Sequence, residues 1–110
     1  MTAQTKFNPY YSPEEVGLTV VGEVDDAGSY EFNTIVVWTD GEKLYWAHDS
    51  GCSCPTPFEE YEVTKEDKSG LDELKESNLQ SFIDGVMEME LPLAERREFI
   101  DRVKRLLRGK

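Results

Sequence analysis

The chain has 110 residues, which is the length of one ordinary domain and is enough for a hydrophobic core that needs no disulfide or metal. Hydrophobic residues make up 38% of it and include two tryptophans, five tyrosines and five phenylalanines, so an intrinsically disordered acidic chain is excluded. The formal net charge of −11 disfavours nucleic-acid binding by the surface as a whole, and the lack of an apolar run of about 20 residues predicts a soluble, cytoplasmic protein without a membrane partner.

The first elements along the chain are predicted to be a short helical turn and two strands. The stretch "SPEE", which starts at Ser12, combines a capping residue, a proline and a glutamate in the pattern that opens a helical turn, and Gly17 ends it. The β-rich stretches 16–24 and 30–38 predict two strands, because the residues between them, 25–29, form a turn cluster.

A β-hairpin is the clearest local prediction. Asp40-Gly41 separates two β-rich runs and is typical of a two-residue hairpin turn. Such a turn would pair Val37 with Leu44, Val36 with Tyr45 and Ile35 with Trp46. Both faces of this hairpin are apolar, which is typical of strands in the middle of a sheet or beneath helices. The sequence therefore predicts a three-stranded antiparallel meander with at least one covered face.

The C-terminal third changes to helical spacing. Residues 77–80, "SNLQ", form a capping box before a first helix, and Pro92 opens a second. The apolar stripes are Leu79, Phe82, Ile83, Val86 and Met87 in the first helix, and Phe99, Ile100, Val103, Leu106 and Leu107 in the second. Gly85 weakens the first helix, and a short helical turn is predicted around residues 71–74.

These elements together predict one α+β domain that spans residues 1–110. Its expected architecture is a three-stranded antiparallel meander with two C-terminal amphipathic helices packed on one face of the sheet. Residues 1–11 are a candidate flexible N-terminal tail.

The only histidine and both cysteines of the chain lie within the segment "HDSGCSC", residues 48–54. His48, Asp49, Cys52 and Cys54 supply the four donors that zinc takes, but structural zinc sites usually draw their ligands from two separate elements. A reactive thiol needs a cation or a helix N-terminus beside it, whereas prolines and glutamates follow this loop. We therefore favour a proline-rich structural turn without a metal or cofactor, and keep a zinc or thiol site as the alternative.

Residues 16–61 resemble a group of small uncharacterised proteins of actinobacteria and of the phages that infect them. The likeness rests above all on the segment "DSGCSCPTPFE" at residues 49–59. The resemblance implies a cytoplasmic protein of phage or prophage origin. It implies no activity, cofactor or catalytic residue.

Charge is distributed unevenly along the chain. Residues 1–90 contain 20 acidic and 5 basic side chains, whereas residues 91–110 contain 3 and 7. No carboxylate pair stands out and His48 lacks a nucleophile context, so we expect a protein that is not an enzyme. An acidic body can instead occupy a basic surface of another protein. We expect a phage-type accessory protein that binds a host or phage protein, or a second copy of itself, through Tyr10, Tyr11, Phe58, Glu59, Glu60 and Tyr61.

The basic C-terminal helix supports a further alternative, which is contact with nucleic acid. Its cations are Arg96, Arg97, Arg102, Lys104, Arg105 and Arg108. Packing of the apolar stripe on the sheet, with the arginines neutralising the acidic body, is the competing explanation, and two intervening acids, Glu98 and Asp101, interrupt the basic face.

Overall fold

The computed structural model of the protein describes residues 9–10, 12–26, 31–52, 63 and 71–109. The elements in chain order are a 3-10 turn (Pro13–Val16), strands β1 (Thr19–Asp25), β2 (Glu31–Thr39), β3 (Leu44–Cys52) and β4 (Asp72–Leu74), a second 3-10 turn (Glu76–Asn78), and helices α1 (Leu79–Met87) and α2 (Leu93–Arg108). The predicted α+β class, the opening helical turn and both C-terminal helices are confirmed.

The sheet has four antiparallel strands in the order β1-β2-β3-β4, so the prediction of three strands is wrong. The fourth strand lies where the sequence favours a short helical turn. It has only three residues and no alternating pattern of its own. Its extended backbone is stabilised by pairing with β3, where Leu44 lies opposite Leu74, and pairing of this kind overrides weak local propensity.

The predicted register of the central hairpin is also wrong, by two residues. Thr39 and Val37 of β2 pair with Leu44 and Trp46 of β3, so the connection has four residues rather than two. Because side chains alternate with a period of two, a shift of two residues leaves every side chain on its predicted face. The prediction that both faces of the hairpin are apolar is therefore confirmed, although the predicted register is wrong.

The side chain of Asp40 explains the longer connection. Its Oδ1 accepts the backbone N–H groups of Glu42 and Lys43 at 2.9 and 2.7 Å. The N–H of Gly41 donates to the hydroxyl of Thr39 at 3.0 Å, and Gly41 takes a φ of 100° that other residues resist. These side-chain bonds satisfy backbone groups that a two-residue turn would pair differently.

One face of the sheet packs against both helices. Phe82 of α1 lies at the centre of this helix-side core, with its ring 5.4 Å from that of Trp46 and 5.8 Å from that of Phe99 in α2. The buried members are Val24, Ile35, Val37, Leu44, Leu74, Leu79, Phe82, Val86, Met89, Phe99, Ile100 and Val103. Of the predicted helical stripes, Met87 and Leu106 are exposed.

The opposite face of the sheet is covered too, by a second core. Its buried residues are Val16, Leu18, Val36, Trp38, Tyr45, Ala47, Val63 and Leu71, with Tyr10 packed against them. The buried indole of Trp38 donates its Nε1–H to the carbonyl of Pro9 at 3.0 Å. Strands β2 and β3 thus contribute to two cores, one on each side of the sheet.

Helix α1 starts differently from the prediction. Ser77 is exposed within the second 3-10 turn and precedes the helix. The residue before α1 is Asn78, whose side chain accepts the N–H of Lys75 and donates to the carbonyl of Glu73, both at 2.8 Å. Asn78 therefore connects the turn to β4, which fixes where the helix can begin.

Replacing Gly85 with alanine is expected to raise the free energy of unfolding by about 0.5–1 kcal/mol. A methyl group at this helical position would lie 3.7 Å from Ile35 and 3.8 Å from Trp46, which are ordinary contacts. Urea denaturation measures the change. Gly17→Ala is the contrasting variant, since Gly17 ends the first 3-10 turn with a φ of 73° and the substitution should cost about 1 kcal/mol. A Gly85→Ala protein that is less stable than the parent would contradict the packing described here.

Candidate protein-binding surface

Among the residues predicted to bind a partner, Tyr10 lies in the described part of the chain. Its half-buried ring packs on the second core, and its hydroxyl donates to the carboxylate of Glu23 on β1 at 2.9 Å. Tyr11, Phe58, Glu59, Glu60 and Tyr61 lie outside the described residues. Tyr10 is therefore in contact with β1, which is the first part of the candidate surface.

β1 is an outer strand of the sheet. It pairs with β2 along one side, and no strand of the described residues pairs with its other side. The register shifts between Val20 and Gly22, which indicates a β-bulge, and Val20 is exposed. A bulge and charged residues such as Glu23 are the features that keep an outer strand from indiscriminate pairing.

A cleft of 260 Å³ lies between β1 and α2. We call it the β1–α2 cleft, and its lining residues are Glu23, Val24, Glu95, Glu98, Phe99 and Arg102. Its four charged residues are exposed, and α2 supplies two carboxylates and the guanidinium. Glu23 lines the cleft from the strand, but its carboxylate points to the other face of the sheet, where it accepts the Tyr10 hydroxyl, because the neighbouring Val24 faces the helices. The cleft therefore combines a small apolar floor with an excess of negative charge.

Gly22 allows α2 to approach β1 closely at this cleft. A Cβ atom at Gly22 would lie 3.1 Å from Cε1 of Phe99 and 3.6 Å from Nη1 of Arg102, and the first distance is tighter than ordinary packing allows. The missing side chain lets the Phe99 ring lie against the strand. The signal available in the sequence is a glycine within a β-rich run, which does not say which helix approaches it.

The acidic residues that follow Glu23 in the chain are held by hydrogen bonds. Asp25 accepts the hydroxyl of Thr34, which is the one buried polar residue of the described core and is 2% exposed. Asp26 accepts the side-chain N–H of Asn33 and the backbone N–H of Glu90, both at 2.7 Å. These bonds connect the end of β1 to β2 and to the segment before α2, so they hold the acidic residues at the end of β1 in place.

His48 and Cys52 lie on the same strand and do not fall close together. In β3 they are four residues apart with unbroken pairing to β2, which places their Cα atoms about 13 Å apart. That distance is too long for both side chains to bind one ion at normal ligand distances. The exposed His48 ring instead contacts Asn33, with Nε2 2.5 Å from the amide oxygen.

The remaining candidate metal ligands do not assemble into a site in the described part of the chain. Asp49 is half-buried beside His48 on β3, Cys52 is described by its backbone, and Cys54 lies outside the described residues. Within the described residues there is no group of three His, Cys, Asp or Glu side chains placed to hold an ion.

The basic residues of α2 are divided between the end of the helix, where Lys104, Arg105 and Arg108 line one cleft with Asp101, and contacts with the rest of the protein. Arg96 donates to the carbonyl of Met87 at 2.6 Å, and Arg102 lines the β1–α2 cleft among carboxylates. Arg108 donates to both carboxylate oxygens of Glu76, at 2.9 and 3.4 Å. Three of the six basic side chains that were predicted to contact nucleic acid are thus directed at other parts of the protein.

The contact with Arg108 lowers the pKa of Glu76, first through the hydrogen bond and then through the positive charge of the guanidinium. Because the folded-state pKa lies below the unfolded one, the pair stabilises the fold above the unfolded-state pKa and loses that effect as the pH falls through the folded-state value. Arg108→Gln is therefore expected to raise the pKa of Glu76 towards its ordinary value in an NMR titration of the carboxyl carbons. Arg97→Gln, on the same helix, is the control and should leave that pKa unchanged; equal shifts in the two variants would contradict the assignment.

Residues 7–108 match the family described as a domain of unknown function (DUF7574), and because the match covers almost the whole chain, the protein belongs to that family. No curated protein and no solved structure matches the chain. No helix in the part of the chain that the structure describes is both long and apolar enough to cross a membrane.

Proposed function

We propose that this protein is a small, acidic, non-catalytic accessory protein that binds a basic surface of another protein through the β1–α2 cleft and the outer side of β1. The observation that carries the proposal is the pair of exposed carboxylates, Glu95 and Glu98, that α2 places beside the apolar floor of the cleft, with one guanidinium among them. The excess of acidic residues over positions 1–90 would steer a basic partner towards this side and raise the association rate at low salt.

The phage-type character of the proposal rests on the resemblance of residues 16–61. On that basis the partner is a host or phage protein and the compartment is the cytoplasm. Tyr10 adds an aromatic contact beside β1 on the other face of the sheet, since its hydroxyl donates to Glu23. Tyrosine is enriched among residues that dominate protein–protein binding energies.

A binding role fits the cleft better than acid–base catalysis does. Catalytic carboxylates are usually buried, because burial moves their pKa towards the working pH. Glu23, Glu95 and Glu98 are exposed to water. The cleft therefore offers exposed charge, which suits recognition of a basic partner.

The two alternatives from the sequence have less support. Nucleic-acid contact through α2 has less positive charge available than its six cations suggest, because Arg102 lies in the β1–α2 cleft and Arg108 pairs with Glu76. A zinc role could not combine His48 with Cys52 in one coordination sphere, because of their separation along β3.

Two double variants with the same change in net charge test the proposal. Glu95→Gln/Glu98→Gln is the cleft variant and removes two carboxylates from the cleft. Glu42→Gln/Asp72→Asn is the β4-side control and removes two exposed carboxylates, one in the hairpin loop and one on β4, which forms the other edge of the sheet. Each protein is immobilised and exposed to a lysate of the source cell at low and at high salt, and retained proteins are identified by mass spectrometry.

We expect a basic protein to be retained by the parent and by the β4-side control, and to bind the cleft variant roughly tenfold more weakly, because each exposed ion pair contributes up to about 1 kcal/mol. Retention should fall as salt rises. Retention that is indifferent to salt, or equal loss in both variants, would contradict binding through the cleft.

A further inference from the structure

The backbone of β1 presents hydrogen-bonding groups on its outer side. The N–H of Asp26 donates to the carbonyl of Asn33 at 3.2 Å, which makes this pair a hydrogen-bonded one. Antiparallel ladders alternate, so Val24 and Gly22 also bond to β2, whereas Glu23 between these two directs its N–H and C=O away from β2. The outer side of β1 therefore carries backbone groups of the kind that accept another strand.

The β1–α2 cleft runs beside these backbone groups. Its lining includes Glu23 and Val24 of the strand itself together with Glu95 and Glu98 of α2. A chain that paired with β1 would place alternate side chains on the α2 side of the sheet. There they would meet the two glutamates of α2 and the apolar ring of Phe99.

We propose that the partner contributes an extended basic segment that adds to the sheet as a fifth strand along the outer side of β1, with lysine or arginine at alternate positions directed at the carboxylates of α2. This inference rests on the proposed function and specifies how the partner is held. Backbone hydrogen bonds to β1 supply affinity, and the alternation of basic side chains supplies selectivity. Beyond the bulge, β1 is regularly paired from Gly22 to Asp25, so the added strand is short.

Charge complementarity favours a basic segment over a second copy of this chain. In an antiparallel pairing of two β1 strands, the exposed acids of one copy, such as Glu23 and Asp25, would face those of the other. Like charges placed opposite each other destabilise a strand pair. A basic segment brings no acidic side chains to this edge and therefore avoids that repulsion.

The test uses the full chain and a fluorescein-labelled peptide of alternating lysine and valine, together with two backbone N-methylated forms of it. In one form the valine amides are methylated and in the other the lysine amides. Because the amides of a strand alternate in direction, only one of the two forms loses the hydrogen bonds to β1. Fluorescence anisotropy at about 0.02 M salt, where the Debye length exceeds the width of the cleft, measures binding.

We expect one methylated form to bind at least tenfold more weakly than the parent peptide and the other to bind nearly as well. The cleft variant Glu95→Gln/Glu98→Gln should bind the parent peptide roughly tenfold more weakly, and the β4-side control should bind it normally. In the complex the amide of Glu23 should gain protection from hydrogen exchange. Thermal unfolding of each variant establishes that it is folded.

The possible failures are distinguishable from one another. If neither methylated form differs from the parent peptide while the cleft variant still weakens binding, the cleft binds basic chains without strand addition, which overturns the inference and leaves the proposed function standing. If sedimentation shows a dimer of the free protein in which the Glu23 amide is protected, a second copy occupies the edge and the inference is wrong. If the peptide does not bind and no basic protein is retained from the lysate, both proposals fail.

Discussion

Replacing Phe82 with alanine is expected to lower the free energy of unfolding by about 3–5 kcal/mol. The ring is fully buried and lies between the rings of Trp46 on the sheet and Phe99 on α2. Its removal takes away apolar contacts with both β3 and α2 and leaves a cavity that the packed sheet cannot close. Since domains of this size are stable by about 5–15 kcal/mol, the variant should be close to unfolding at ordinary temperature.

Urea denaturation followed by far-ultraviolet circular dichroism measures the loss. The matched control is Met87→Ala in the same helix, where the side chain is 37% exposed and the expected change is within about 0.5 kcal/mol. The intrinsic fluorescence of Trp46 should also change in the Phe82 variant, because the ring that contacts its indole is gone. A loss no larger than that of the Met87 control would mean that α1 does not pack as described.

Replacing Trp38 with alanine is expected to have a similar cost, about 3–5 kcal/mol, on the opposite side of the sheet. Trp38 is fully buried in the second core and donates its indole N–H to the carbonyl of Pro9. The substitution removes the largest buried side chain of that core and the hydrogen bond that holds residue 9 against the sheet. The second core should therefore lose its contact with the segment before Ser12.

Trp38→Phe separates the two contributions. Phenylalanine keeps most of the packing but cannot donate, so the carbonyl of Pro9 loses its partner and the expected cost falls to about 1–3 kcal/mol. Limited proteolysis should then cut near residues 9–10 faster than in the parent, because the bond from Trp38 no longer holds them. Equal stability of the alanine and phenylalanine variants would contradict the packing of the second core.

The elements that could be predicted from the sequence are those with a local signal. The 3-10 turn after Ser12, strands β1 to β3 and helices α1 and α2 each have either a periodic apolar pattern or a characteristic first residue. The face assignments of β2 and β3 were predictable for the same reason, since alternation along one strand needs no knowledge of its neighbour. The actinobacterial and phage origin stays a prediction.

The features that could not be predicted depend on partners far away in the chain. β4 forms because β3 offers a partner to Leu74, and the hairpin register depends on where the Asp40 side chain finds its donors. The hydrogen bond from Trp38 to Pro9 joins residues that are 29 positions apart in the sequence, and no local sequence pattern predicts it. Long-range pairings of this kind are decided by the folded environment and not by propensity.

The candidate surface was predictable only as a property of the whole chain. The acidic excess is visible in the sequence, but the placement of Glu95 and Glu98 beside an outer strand follows from the position of β1 at the edge of the sheet, next to α2. Tyr10 was predicted as an aromatic contact and lies beside this edge. The contribution of Gly22 was missed because a glycine in a strand does not reveal what approaches it.

Because β2 is buried on both faces, the two cores of the protein are expected to unfold together. Ile35 and Val37 belong to the helix-side core while Val36 and Trp38 belong to the second one, and all four are fully buried. Neither core can unfold while the other stays intact, because unfolding of either core would expose one face of β2 to water. We therefore expect the amides of this strand to be released only by global opening, and to exchange more slowly than those of the other described elements.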